Sequence, residues 1–206
     1  MLSCSSHPGT AEHVPEVLRY YLPEANNNAF SLHRTHKFQE SDEVYLKALA
    51  SAQSSIDTIQ VNFTLKAPCD LNVLFEVCNY ANRLDYMEAI MQAVETRRVK
   101  ARILIEQHPI DGIENRIAVE AFEQELAARG LSDLVEIRFF DGETHIKSAL
   151  IDDEFLVIGS QNYHYSAWGD RGLTEYNLAL DAPAAIEDYR NMFEYRWENG
   201  VSVSQP

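Results

Sequence analysis

The stretch His145-Ile146-Lys147-Ser148-Ala149-Leu150-Ile151-Asp152, followed by Asp153-Glu154-Phe155-Leu156-Val157-Ile158 and then Gly159-Ser160-Gln161-Asn162, reads as strand, turn, strand and loop. Two apolar runs, His145–Ile151 and Glu154–Ile158, flank the polar pair Asp152-Asp153. Upstream, Leu134 to Phe140 is a strand candidate followed by the turn signal Asp141-Gly142, and Asn115 to Arg129 is a helix closed by Gly130. Val99 to Ile105 reads as a strand. Asp85 to Arg97 reads as a helix, with Met87, Ile90 and Val94 on one face and Asp85 and Glu88 as a capping box. Ile56 to Phe63 alternates like a strand, and Ser41 to Ser55 reads as a helix with Ser41 as its cap. Downstream, Thr174–Leu180 is a strand and Ala184–Trp197 a helix ended by Asn199-Gly200. This alternation predicts an α/β fold, a mixed β-sheet flanked by helices.

The expected boundaries are one lobe over residues 41–200 and a tail over 201–206. Residues 1–40, with Pro8, Pro15, Pro23 and the run Asn26-Asn27-Asn28, read as linker or irregular structure, with a short helix around 11–22. Residues 64–82 carry no clear pattern. The 206 residues suffice for one substantial domain and are short for two.

Seventeen Lys+Arg against 32 Asp+Glu give a net charge of −15. Such a surface repels polyanions at long range and disfavours docking on anionic lipid, although a local pocket can still be positive. Cys4, Cys69 and Cys78 are odd in number and show no C-x-x-C spacing. They read as scattered reduced thiols, with a Cys69–Cys78 disulfide as the alternative. No stretch approaches a membrane span, and Met1-Leu2-Ser3-Cys4 does not open a signal peptide. The expectation is a soluble chain, cytoplasmic or peripheral at a membrane.

The central stretch has the pattern H-x-K-x4-D-x6-G-S-x-N. Six fixed positions recur by chance in a chain of this length on the order of once in a few hundred thousand. The pattern resembles the HKD signature of the phospholipase D superfamily, over about residues 41–200. Phe30–Phe63 and Ser160–Asn177 look most like the C-terminal lobe of cardiolipin-synthase-like proteins. The resemblance implies a phosphodiesterase or phosphatidyltransferase acting on phospholipid through a phosphohistidine. The alternative within the superfamily is a dimeric nuclease or other nucleic-acid phosphodiesterase, which the acidity disfavours. It also implies two HKD motifs meeting at an interface. This chain holds one, so the second lobe comes from a homodimer partner or from an N-terminal half.

Physical chemistry supports the same residues. On a strand, positions i and i+2 share a face, so His145 and Lys147 project together. Imidazole supplies a nucleophile, and Lys147 a cation for the phosphoryl oxygens as charge builds. Asn162 can donate an amide N–H to the same oxygens. Gly159 and Ser160 give its loop a tight path. No metal or other cofactor is expected, because protein cations can neutralise the phosphate. A histidine nucleophile needs an acceptor on its other nitrogen. Asp152 sits at an odd offset from His145, which suits a turn. Glu175, on the next strand, is the better acceptor and matches the acidic residue that the superfamily places downstream, with Ser160 in support. The predicted site is thus His145, Lys147, Asp152 and Glu175 for catalysis, with Lys147, Ser160 and Asn162 on substrate.

Several other residues read as structural. His33-x-x-His36 fits no metal spacing. His164 reads as a loop histidine. Tyr163, Tyr165 and Trp168 read as packing aromatics, and Glu114, Glu120, Glu123 and Glu125 as a solvated helix face.

Overall fold

A computed structural model describes residues 29–35, 38–64, 85–106, 112–140, 142, 144–168 and 172–203. The helix expected around 11–22, the three cysteines, His36 and His108 lie outside the described residues.

The strands are β1 (Ala29–Thr35), β2 (Phe38–Gln39), β3 (Ser55–Gln60), β4 (Lys100–Glu106), β5 (Val135–Phe140), β6 (Lys147–Ile151), β7 (Phe155–Gly159), β8 (Glu175–Leu180) and β9 (Val201–Ser202). They form one mixed sheet in the order β2-β1-β8-β7-β6-β3-β4-β5-β9. β3, β4 and β5 run parallel, and the remaining pairs are antiparallel. The helices are α1 (Glu40–Ser51), α2 (Asp85–Arg97), α3 (Gly112–Arg129) and α4 (Pro183–Glu198).

Alternation along the strands divides the core in two. Ile56, Ile103, Ile105, Ala149, Ile151 and Val157 face α1, α2 and α3. Ile59, Leu104, Leu150 and Leu156 face Ile186, Tyr189, Phe193 and Trp197 of α4. β3, β4 and β5 are joined through helices, as parallel strands require, which puts those crossovers on one face.

Three features depart from the sequence expectation. Ala29–Thr35 and Phe38–Gln39 are strands, not irregular structure. Ser31 and His33 alternate with buried Leu32 and Arg34, and β1 pairs with β8 from Ala29↔Leu180 to Arg34↔Glu175. One inward position of that strand is an arginine, which hides the apolar period. Ser41 does not cap α1: Gln39 holds that position without a side-chain hydrogen bond, and Ser41 lies inside the helix, fully buried. The expected tail also contributes β9, paired with β5 at Arg138↔Ser202 and Phe139↔Val201.

The β6–β7 turn and the end of α3 follow the sequence reading. Asp152 (φ 51°) and Asp153 (φ 65°) are the central residues of the turn in a three-residue hairpin connection, closed by Glu154 N–H donating to Ile151 O at 3.1 Å. Gly130 (φ 67°) ends α3 in the left-handed region.

Candidate active site

The register sets the site at one end of the sheet. Lys147 stands opposite Gly159, and Gly159 opposite Asn177. Two residues further toward that end, Glu175 stands opposite Arg34. His145 precedes β6 by two positions and is exposed, and Lys147 is buried at 4% accessibility. Extending the ladder puts His145 and Glu175 on one rung, two strand spacings or about 10 Å apart at Cα. β7 has already ended between them, so the rung is open.

Gly159 is required by close approach. A Cβ there would lie 2.6 Å from the Cα of Asn177 and closer still to Asn177 Oδ1 and Tyr176 O. The chain then turns through Ser160. Ser160 Oγ donates to Glu175 Oε2 and accepts from Tyr176 N–H at 3.0 Å. Burial pushes the Glu175 carboxyl above the ordinary glutamate range, while the Ser160 hydrogen bond and the charges of Arg34 and Lys147 pull it back. Burial likewise pushes Lys147 below the ordinary lysine range, opposed by Glu106 and Glu175. Lys147 Nζ donates to His145 O at 3.1 Å, which ties the cation to the backbone of the candidate nucleophile.

Asn162 Oδ1 accepts from Asn62 N–H at 3.4 Å, leaving its Nδ2 donor without a partner among the described residues. Trp168 Nε1 donates to Asn162 O at 2.6 Å. Beneath lies Gln161, fully buried. Its Nε2 donates to Asp42 Oδ1 at 2.7 Å and Ala167 O at 3.0 Å, and its Oε1 accepts from Ser41 Oγ and Asn177 Nδ2, both at 2.8 Å. Gln161 occupies the variable position of G-S-x-N, so the motif gave no reason to single it out. Arg34, Asp42, Glu106 and Gln161 were all missed, being isolated polar letters within apolar or helical patterns.

The structure brings His145, Lys147, Ser160, Asn162 and Glu175 to one sheet end and leaves Asp152 at the other. Asp152 lies seven positions from His145 along near-extended chain, roughly 23 Å. The Asp152 carboxylate accepts from the N–H groups of Gln53 (2.8 Å), Ser54 (2.6 Å) and Ser55 (3.0 Å) and from Ser54 Oγ (2.9 Å). Nor does Glu175 hydrogen-bond the His145 ring; its recorded hydrogen-bond partner is Ser160.

The surrounding residues take structural places. Tyr163 and Trp168 are buried with Tyr45 and Tyr86; Tyr86 and Tyr163 stack at 4.7 Å. His164 Nδ1 lies 2.7 Å from Ser166 Oγ, and its Nε2 lies 3.7 Å from Glu114. A cavity of about 690 Å³ opens at the opposite end, by Asp57, Arg102, Asp153, Arg190 and Glu194. Its charges pair with one another, Arg102 with Asp57 and Glu194, and Arg190 with Asp153. Among the described residues no three His, Cys, Asp or Glu side chains converge as a metal site, and no helix is long and apolar enough to cross a membrane.

Residues 45–197 match the family described as cardiolipin synthase, PLD-like domain. The chain belongs to the phospholipase-D-like family. The match runs from within α1 to α4 and contains every site residue expected from the sequence. Among solved structures, the phospholipase D family member Nuc from Salmonella typhimurium is 20% identical, with a TM-score of 0.63, covering 86% of this chain and 98% of its own. NucT from Helicobacter pylori is 15% identical, with a TM-score of 0.63 over 86% and 99%. The phosphatidylserine synthase of Haemophilus influenzae is 13% identical, with a TM-score of 0.64, covering 88% of this chain and 41% of its own. At these identities the likeness is one of fold. No curated protein sequence matches the chain.

Proposed function

We propose that this phospholipase-D-like chain is the catalytic lobe of a phosphodiesterase or phosphatidyltransferase that acts on phospholipid through a phosphohistidine at His145. The observation that carries the reading is the pairing of an exposed His145 with a buried Lys147 at the open sheet end, beside Glu175. His145 attacks phosphorus, a P–N bond forms and the bond to the leaving alcohol breaks. Lys147 and the Asn162 amide take the growing charge on the phosphoryl oxygens. Glu175 turns along the shared rung to accept the other imidazole N–H, with Ser160 holding it meanwhile. Asp152 serves the fold by gathering the backbone N–H groups between α1 and β3.

The leaving alkoxide needs a proton, and the chain carries one H-x-K. A second lobe, from a second copy or an N-terminal half, supplies the histidine that protonates it. That histidine then activates water or an alcohol to attack the phosphohistidine, restoring His145. The second reading is a nucleic-acid phosphodiester substrate. It is favoured by the fold likeness to TrmBL2, whose structure is described as an archaeal chromatin protein with a novel mode of DNA binding (17% identity, TM-score 0.53, 93% of this chain and 59% of its own). The net charge of −15 opposes long-range attraction of nucleic acid and of anionic lipid alike, so the lipid reading leans on the match to the cardiolipin synthase PLD-like domain.

The test offers a two-lobe preparation an aryl phosphodiester, phosphatidylglycerol vesicles and a DNA oligonucleotide. Turnover of the first two, abolished by His145→Ala, is expected. Cleavage of DNA with lipid left intact would favour the second reading. No turnover of any probe would overturn both.

A further inference from the structure

We propose that Arg34 is a positioning residue for this site: from β1 it holds Glu175 and the segment leading into β8 where His145 needs them. The proposal rests on the reading of His145 and Glu175 above. Arg34 stands directly opposite Glu175 in the β1–β8 ladder, so both side chains project from the face that α1 covers. It is fully buried. Its Nε donates to Asp42 Oδ1 at 2.7 Å, and a second nitrogen donates to Leu173 O. Gly172 lies against the guanidinium. A Cβ there would come within 2.7 Å of Trp168 N and 2.8 Å of the guanidinium carbon. One side chain thus joins β1, the first turn of α1 and the Gly172-Leu173 segment that leads into β8.

A buried guanidinium is a costly way to fill space, since apolar residues of similar volume often serve as well or better. What an apolar residue cannot do is act on a carboxylate across the strand. The groups acting on Glu175 are Arg34 from β1, Asp42 from α1, Lys147 from β6 and the Ser160 hydroxyl after β7. Arg34 and Lys147 favour the carboxylate and Asp42 opposes them. Asp42 also holds Gln161, so the same contacts fix the loop that carries Asn162. Removing the guanidinium removes a cation from Glu175, favours its protonated form and frees the Leu173 carbonyl. The acid limb of activity then moves to higher pH.

The test compares wild type, Arg34→Lys and Arg34→Met as full chains in the active assembly. The readouts are kcat and KM on an aryl phosphodiester across pH, and a carbon-13 titration of the Glu175 carboxyl, which needs no turnover. Arg34→Met is expected to lower kcat by about tenfold or more with KM within about twofold. Its acid limb and its Glu175 titration should both move to higher pH. Arg34→Lys keeps the charge without the planar fork, so its kcat should fall while the acid limb stays near wild type. Should Arg34→Met not fold, Arg34→Lys decides, and a wild-type kcat there overturns the proposal. A folded Arg34→Met with an unmoved Glu175 titration also overturns it. Activity surviving in His145→Ala would instead break the underlying reading.

Discussion

Glu175 accepts the Ser160 hydroxyl and no hydrogen bond from the His145 ring, although the β6–β7–β8 ladder, extended two positions beyond Lys147, would carry His145 onto the rung of Glu175. The Ser160 hydrogen bond thus favours the ionised form of a carboxyl that burial pushes the other way. Ser160→Ala removes a hydrogen bond that lowers the Glu175 pKa, so the carboxyl rises further from the ordinary glutamate range. Activity that needs the carboxylate is present above that pKa and lost as pH falls through it. The acid limb of kcat/KM should shift to higher pH in Ser160→Ala. An unmoved limb would show that Glu175 is not the acceptor.

In the proposed mechanism the opposite limb belongs to Lys147. Burial lowers its pKa, and Glu106 and Glu175 oppose the shift. A protonated Lys147 is available below its pKa and lost as pH rises through it, so the basic limb should fall below the ordinary lysine range. Glu106→Gln removes one opposing charge and should move that limb to still lower pH, with the acid limb unchanged. A pH–rate series on the two proteins reads this directly.

Asp152 separates motif membership from chemistry. Asp152→Ala leaves the N–H groups of Gln53, Ser54 and Ser55 without their acceptor and weakens a turn held at positive φ. It should cost about 2 kcal/mol, measured by denaturant unfolding. The kcat of the folded fraction should stay within about twofold of wild type. A loss of a hundredfold or more in a folded variant would return Asp152 to the chemistry.

Most of the fold was legible because most strands carry an unbroken apolar period. His145–Ile151 and Val99–Ile105 became β6 and β4 within a residue or two. β1 was not legible, since one of its inward positions is Arg34 and its period shows only once β8 is known to lie beside it. The proposed nucleophile and its cation were suggested by H-x-K, because i and i+2 share a face on a strand; β6 begins only at Lys147, with His145 exposed just before it. The support beneath them was not. Asp42 and Gln161 lie 119 positions apart in sequence, and nothing local announces their 2.7 Å hydrogen bond. Asn115 was hidden for a similar reason. It sits in α3, yet it accepts from Phe63 N–H and donates to Val61 O, both at 2.8 Å, to hold the chain leaving β3.

Gly159 tests the geometry of the loop. Gly159→Ala forces a Cβ against the backbone of Tyr176 and Asn177. Overpacking of this kind costs about 1–3 kcal/mol. The strain falls where Ser160 begins, so kcat should drop by roughly tenfold or more while the protein still folds. Equal kcat and stability would mean that β7 and β8 lie further apart at this point.

In the proposed mechanism a second lobe governs the rate. Without its histidine the leaving group goes unprotonated, and general acid catalysis is typically worth about 10²–10⁴. Specific activity should therefore rise with protein concentration or on adding a complementary lobe, and a proven monomer should be nearly inactive.

The covalent intermediate is the most direct measurement. A two-lobe preparation is mixed with an aryl phosphodiester and quenched in alkali, where phosphoramidate bonds survive, and the peptide containing His145 is weighed. A mass increase equal to the phosphoryl ester, located on the His145 ring and absent from His145→Ala, is the expected result. An adduct on another residue, or steady turnover with no adduct while His145→Ala keeps its rate, would contradict a phosphohistidine at His145.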